Sequence, residues 1–200
     1  TGRMKSLIKS VIRLVFLLLA FPFWVGFTLQ SILMDKDQAT TSWSQMVSLF
    51  PGLIGVYLRA AFYRLVLNNT SQNTVIGFGT LFSQHDTHIS DGVYIGPQCN
   101  IGKCKIGKNT LLGSGVHVMS GKGQHNFDDP DTPIKDQGGV FNKVEIGENC
   151  WLGNGALVMA NIGKGSVIAA GSVVTKNIPE GVIAAGNPAK VIKSRGQSGT

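Results

Sequence analysis

The sequence predicts a mainly β chain, a parallel β-helix preceded by an apolar helical region. Three observations predict it: aliphatic residues recur every six positions through the C-terminal two thirds, glycine reaches 26 of 200 residues, and residues 14–34 carry no charge. A strand alternates and a helix repeats about every 3.6 residues, so a six-residue period belongs to neither alone. It fits short strands joined by corners and stacked coil on coil. The inward positions read Ile89, Ile95, Ile101, Ile106, Leu112 and Val118, then Ile146, Leu152, Val158, Ile162, Ile168 and Val174. Glycine often follows the aliphatic, where a corner asks for unusual backbone angles.

Charged residues are only 14% of the chain, and its net charge is +7. The basic residues are scattered, without interleaved aromatics or a nucleic-acid motif, so nucleic acid is not the expected partner. Membrane lipid and a phosphorylated cofactor are the anionic partners that fit. Cys99, Cys104 and Cys150 have neither disulfide parity nor metal spacing and read as small buried fillers.

Three regions follow: residues 1–70 as a hydrophobic and amphipathic membrane-associating region, 71–193 as the coiled domain with a loop at 120–143, and 194–200 as a tail. Residues 14–34 are long enough to span a bilayer, and Lys5, Lys9 and Arg13 ahead of them would stay in the cytoplasm. Residues 46–58 are too short to return. They lead into an amphipathic stretch whose Arg59 and Arg64 are expected at anionic headgroups. Pro22 and the Pro51-Gly52 pair interrupt the two apolar runs. The expectation is a monotopic protein on the cytoplasmic face of the bacterial inner membrane, its first segment turning back near Pro22 or lying tilted in one leaflet.

The repeat breaks once, at SGKGQHNFDDPD, residues 120–131, which presents His125 beside Asp128, Asp129 and Asp131. A rigid stack of coils offers flat faces, and a loop is how such a stack places an imidazole over a cleft. Histidine suits proton transfer near neutral pH. One of the three aspartates could orient it, although the same residues make a good turn. His117 precedes an inward valine and should face outward, as a surface residue or a cleft-lining one. His85 and His88 have two-ligand spacing but no third ligand in a matching context, so no metal is expected.

The phrase IGENCWLGNGALVMANIGKGSVIAAGSVVTKNIPEGVIAAGNPAKVI, within residues 75–193, resembles the hexapeptide-repeat acyltransferases. The branch is that of galactoside, maltose and xenobiotic acetyltransferases and colanic-acid-type polysaccharide O-acetyltransferases. The lead-in SLFPGLIGVYLRAAFYRLVL and the segment GFGTLFS resemble its membrane-associated members. The resemblance implies a left-handed coil, a homotrimer with sites between subunits, and acetyl-CoA as donor. It makes His125 the general base and puts Trp151 at the border of the active site. Ala170, Gly171 and Ser172 then lie along the pantetheine arm, Thr175 and Lys176 match a donor-binding phrase, and Lys190 and Lys193 face the nucleotide phosphates. Where galactoside-type enzymes carry an asparagine this sequence has Gly96, leaving Gln98 or Asn100 as substitutes. The expected activity is O-acetylation of a sugar hydroxyl in a lipid-linked or surface-polysaccharide precursor. A small diffusible acceptor and a non-catalytic membrane scaffold are the alternatives.

Overall fold

The computed structural model describes residues 2–196, with the side chains of residues 2, 3, 5 and 6 left aside. Lys5 and most of the expected tail therefore lie outside the described side chains and residues. Three helices come first: α1 (Gly2–Leu33), α2 (Lys36–Ser48) and α3 (Gly52–Val66). Asp35 starts α2 by accepting the amides of Asp37 at 2.8 Å and Gln38 at 3.4 Å, a capping arrangement that satisfies otherwise orphaned donors.

Helix α1 continues unbroken through Pro22, which corrects the expected turn-back there. One face of α1, recurring at helical spacing, is docked along its length. Phe16 stacks on Tyr57 at 5.3 Å, Phe23 meets Phe50 at 5.8 Å and Trp43 at 6.3 Å, and Phe27 meets Phe62 at 6.4 Å and His85 at 5.9 Å. These aromatic contacts add to simple area burial. Gly26 is the point of closest approach, since a Cβ there would stand 2.3 Å from the Trp43 ring.

Helix α3 differs from the expected interfacial helix. Leu58, Ala60, Ala61, Phe62, Tyr63 and Val66 are all buried, so α3 lays its apolar side on the first coil. Arg59 is fully buried rather than at headgroups, and only Arg64 is exposed. The Arg59 guanidinium donates to carbonyl oxygens of Ile76 at 2.8 Å and Phe50 at 2.6 Å, and at longer range to Val47 and Ser48 at 3.4 and 3.5 Å. A helix end and a turn leave backbone carbonyls without intrahelical partners; here a buried cation supplies the donors. Burial lowers the guanidinium pKa from its ordinary value. Ser44 makes a second tie: its hydroxyl oxygen accepts the Phe82 amide at 2.7 Å and the Tyr63 hydroxyl at 2.9 Å.

The coils follow. Strands β1 (Val75–Ile76), β2 (Leu81–Phe82) and β3 (His88–Ile89) make the first coil; β4 (Tyr94–Ile95), β5 (Asn100–Ile101) and β6 (Cys104–Ile106) the second. β7 (Leu111–Leu112), β8 (His117–Val118) and β9 (Val144–Ile146) make the third, with the loop between the last two. β10 (Trp151–Leu152) and β11 (Leu157–Val158), then β12 (Val167–Ile168) and β13 (Val173–Val174), continue the stack to β14 (Val182–Ala185) and β15 (Lys190–Ser194). Strands one coil apart pair in parallel, giving sheets of seven, five and three strands; only β15 runs antiparallel, against β14. Each inward aliphatic lies directly under the next, as in Ile95 under Leu112 and Ile101 under Val118. All twelve inward positions named from the sequence are buried. The three-faced parallel stack fits the left-handed coil that the resemblance implies.

The glycines after the aliphatics have a different cause from the one expected. Their φ values are not positive; a Cβ on Gly153 would stand 2.4 Å from the Ala170 amide nitrogen, and one on Gly163 2.4 Å from that of Glu180. Coil-to-coil proximity excludes a side chain. The left-handed backbone falls two residues later, and asparagine serves there at Asn109 and Asn149, both with φ of 55°. Next comes a small buried donor: Thr80 to the Gly96 carbonyl at 2.7 Å, Thr110 to Gly147 at 2.8 Å, Cys99 to Gly113 at 3.1 Å and Cys150 to Gly163 at 3.2 Å. The cysteines are buried as expected, and burial raises all three thiols, Cys104 up to about 12. Such thiols are inert.

Arg59→Ala is expected to destabilise the chain by about 3 kcal/mol or more, because several buried carbonyls lose their donor at once. Arg64→Ala, at an exposed position, should stay within about 0.5 kcal/mol. Chemical denaturation of the two variants beside the parent checks this; equal losses would refute the bracing role.

Candidate active site

The outward side of the five-stranded sheet is read by taking the residue before each inward aliphatic. Leu81, Asn100, His117, Leu157 and Val173 stand in register down that face, with Asn100 opposite His117. Adjacent strands lie about 4.8 Å apart, so an amide and an imidazole are presented side by side. They line a groove of about 310 Å³ whose walls include Thr41 and Gln45 of α2 and Gln124 of the loop. Gln98 is not in this groove; it occupies a left-handed corner with φ of 58°. Of the two candidates, the structure sets Asn100 in the groove.

The loop leaves after β8 and folds back on itself as two limbs. Asn142 donates its amide to the Ser120 carbonyl at 2.9 Å, Val140 to Gly123 at 2.7 Å and Asn126 to Gly138 at 2.9 Å. The limbs meet because Gly139 has no side chain, since a Cβ would stand 2.0 Å from the Gln124 carbonyl and 2.8 Å from the His125 nitrogen. The buried Ser120 hydroxyl accepts the Lys103 amide at 2.9 Å and pins the departure point. At the return, Lys143 pairs with Asp86 at 2.5 Å, and Asp86 also faces Lys103 at 3.6 Å and His88 at 3.4 Å. The hydrogen bond from Lys143 holds the Asp86 carboxyl below the usual range.

His125 sits on this arm, exposed, one residue beyond groove-lining Gln124 and one before Asn126, whose side-chain amide donates to the Gln137 carbonyl at 3.1 Å. Its imidazole makes no hydrogen bond among the described residues. Asp129 is committed to its own turn: its carboxylate accepts the Asp131 amide at 2.9 Å and the Thr132 hydroxyl at 2.7 Å, and these bonds depress its pKa. Asp128 and Asp131 are exposed on the same turn. His85 is stacked on Phe27, with its Nδ1 buried and unpartnered among the described residues, and burial lowers its pKa. His88 faces Asp86 instead, and no cluster of three or more His, Cys, Asp or Glu gathers around one point among the described residues.

The expected donor residues are spread over other faces. Trp151 points outward from the seven-stranded sheet, between Leu111 and Val167, with 55% of its surface exposed. Ala170 and Gly171 form an exposed corner, while Ser172 is buried. The Ser172 hydroxyl accepts the Gly186 amide at 3.1 Å, and its amide and carbonyl bond within the stack to Ala169 and Leu157. Thr175 and Lys176 share a groove of about 460 Å³ with Lys122 and Lys143 at the base of the loop. Lys190 and Lys193 are exposed on β15. One chain thus carries an amide–imidazole groove, a lysine-lined groove and an outward indole on separate surfaces. Sequence reasoning missed Lys122, Thr41 and Gln45; only the packing of α2 and of the loop base brings them in.

Two family models match, described as bacterial transferase hexapeptide (six repeats) over residues 86–120 and hexapeptide repeat of succinyl-transferase over 143–176. They flank the loop. The chain is 34% identical over 124 residues to WbbJ of Escherichia coli (strain K12), a protein assigned provisionally to lipopolysaccharide biosynthesis O-acetyl transfer, covering 58% of this chain and 62% of that one. It is 38% identical over 115 residues to a galactoside O-acetyltransferase of Lactococcus lactis, covering 56% of this chain and 45% of the relative. The chain thus spans less than two thirds of these curated relatives. Among solved structures, a maltose O-acetyltransferase from Clostridium difficile 630 superimposes with a TM-score of 0.68 at 22% identity, over 82% of this chain and 90% of that one. A galactoside acetyltransferase in complex with coenzyme A gives 0.60 at 21%, over 80% and 83%. At these identities the likeness speaks for the fold.

Gly139→Ala should pry the two limbs apart while leaving the coils intact. Amide hydrogen exchange at Asn126 and Val140 is expected to accelerate by at least about tenfold, with core amides such as those of Leu112 and Ile168 unchanged. Unchanged exchange at the limbs would show that the arm does not depend on this contact.

Proposed function

We propose that the chain, whose repeats match hexapeptide transferase models over residues 86–120 and 143–176, is an acetyltransferase that moves an acetyl group from acetyl-CoA to a sugar hydroxyl of a lipid-linked or surface-polysaccharide precursor. The observation that carries this reading is the arm: at the one long interruption of the repeat, two limbs held together at Gly139 present an exposed imidazole without a partner among the described residues. In this proposal His125 takes the acceptor hydroxyl proton as that oxygen attacks the thioester carbonyl, and returns it to the departing thiolate. Asn100 and the groove beside it hold the acceptor. Lys176 and Lys122 line one groove and are suited to phosphates of the donor, while Lys143 beside them is already paired with Asp86. Lys190 and Lys193 remain candidates for the nucleotide end.

The dispersal of these elements over separate faces supports a homotrimer in which an arm and a sheet of different subunits complete one site. A second reading rests on one contact: His117, not His125, stands opposite Asn100 in the chain's own groove, so His117 is the alternative base.

The location we propose is the cytoplasmic membrane face, by a monotopic attachment. α1 contains a 27-residue stretch, Leu7–Leu33, whose most apolar part has a mean hydropathy of 2.1 and few buried residues. Its other side is fastened to the folded domain from Arg13 to Phe27. That distance is about 21 Å of helix, so a perpendicular crossing of a bilayer core of about 30 Å would drag the domain into hydrocarbon. A helix lying flat in one leaflet meets both facts.

His125→Ala is expected to lower turnover by roughly 10² to 10⁴, the usual effect of losing a general base, with trimer mass and acetyl-CoA affinity retained. His117→Ala should lower it by less. The reverse order of effects in a thioester-release assay moves the base to His117, and no acyl transfer from the parent protein to any sugar in a broad panel sinks the enzyme reading.

A further inference from the structure

Beneath the N-terminal half of α1 lies a third groove, of about 370 Å³. Lys9 and Arg13 of α1, Leu53 and Tyr57 of α3, and Asn73 and Tyr94 of the first two coils line it. The two cations are four residues apart, one above the other on the docked face of α1. Arg13 donates to the Asn73 side-chain oxygen, and its own carbonyl accepts from Gln72 at 2.7 Å. The neighbouring carboxylate, Asp91, is engaged by Asn73 at 2.9 Å and Ser71 at 2.9 Å. Lys9 is exposed and has no partner among the described residues.

The opposite face of the same helix is apolar and open: Leu7, Val11, Leu14 and Leu18 are 54–68% exposed. Leu53, at the mouth of the groove, is 76% exposed. An interfacial helix sinks its apolar face about 5–10 Å into the boundary between headgroups and acyl chains. With a helix diameter of about 10 Å, its far side stands at the depth of lipid phosphates. Lys9 and Arg13 are on that far side.

We propose that this groove binds the phosphate of a phosphate-bearing lipid, clamped between the Lys9 ammonium and the free N–H groups of Arg13, with the tail leaving over Leu53 onto the apolar flank of α1. The proposal rests on the monotopic membrane reading and adds a defined lipid site to it. Such a site orients the domain on the surface, because the phosphate is held at one fixed place beside the first coil rather than by diffuse charge.

The test is flotation of the full chain with vesicles of neutral phosphatidylcholine, and with vesicles containing about a third phosphatidylglycerol. The parent should bind both, and the anionic vesicles roughly tenfold more tightly, as two cations near the surface would give. Lys9→Ala with Arg13→Gln should abolish that preference while keeping binding to neutral vesicles; Lys9→Ala alone, at an exposed side chain, should lose a part of it. Lys105→Ala with Lys164→Ala, which removes the same charge from a remote face, should leave the preference unchanged. The site is overturned if the two double variants lose the preference equally, or if neither does. Release of the preference by millimolar inorganic phosphate at constant ionic strength would make it a free-anion site instead. A change in subunit mass on substitution at Lys9, without a change in lipid preference, would make it a contact between copies. Absence of binding to either vesicle removes the membrane reading itself, an outcome separate from loss of the anionic preference alone.

Discussion

The Arg59 guanidinium ties together the two unlike parts of this chain. Its acceptors come from the end of α2, from the turn before α3 and from the first strand of the stack. Everything placed by the helices depends on that junction. α2 walls the groove beside Asn100 with Thr41 and Gln45, and Val47 and Ser48, further along the same helix, are tied through Arg59 to the first coil. α1 is in turn positioned by Trp43 and Phe62 on the two helices the guanidinium joins. A buried cation is costly unless its donors are met; here Nε and Nη1 are met by carbonyls, while Nη2 is buried without a partner among the described residues.

The stack itself was legible in the sequence because its cause is local. An inward aliphatic every sixth residue is a pattern that packing leaves on the chain directly, and so is the place where the pattern stops. What was not legible is what depends on which coil lies over which. Asn100 and His117 are neighbours because the coil that joins them advances seventeen positions; the hexapeptide period alone does not count corners that differ in length. Arg59 looked like a headgroup partner because a cation on an apolar helix is the mark of an interface, and the carbonyls that claim it come from segments distant in sequence. The glycines that follow many of the inward aliphatics have a cause the sequence does not show, since the crowding comes from the neighbouring coil and not from the corner.

The site shows the same division. The arm, its histidine and its turn-forming aspartates are written in one short phrase, and the structure keeps them together. The groove beside Asn100 and His117 is not written in any one phrase. It is assembled from residues a coil apart, from a helix that precedes the repeats, and in the trimeric reading from another chain. This separation has a physical basis: a stack of flat faces is stiff and offers little curvature, so concavity has to come from whatever leans against it.

β15 runs against the direction of every other strand in its sheet. A stack of similar coils has no intrinsic length, and its last parallel strand offers a row of amides and carbonyls to any further coil. By folding back, residues 190–194 occupy the edge that a seventh coil, or the first coil of another molecule, would need. At the other end α3 covers the start of the same ladder. The longest sheet is thus closed to a further parallel coil at one end by β15 and covered at the other by α3.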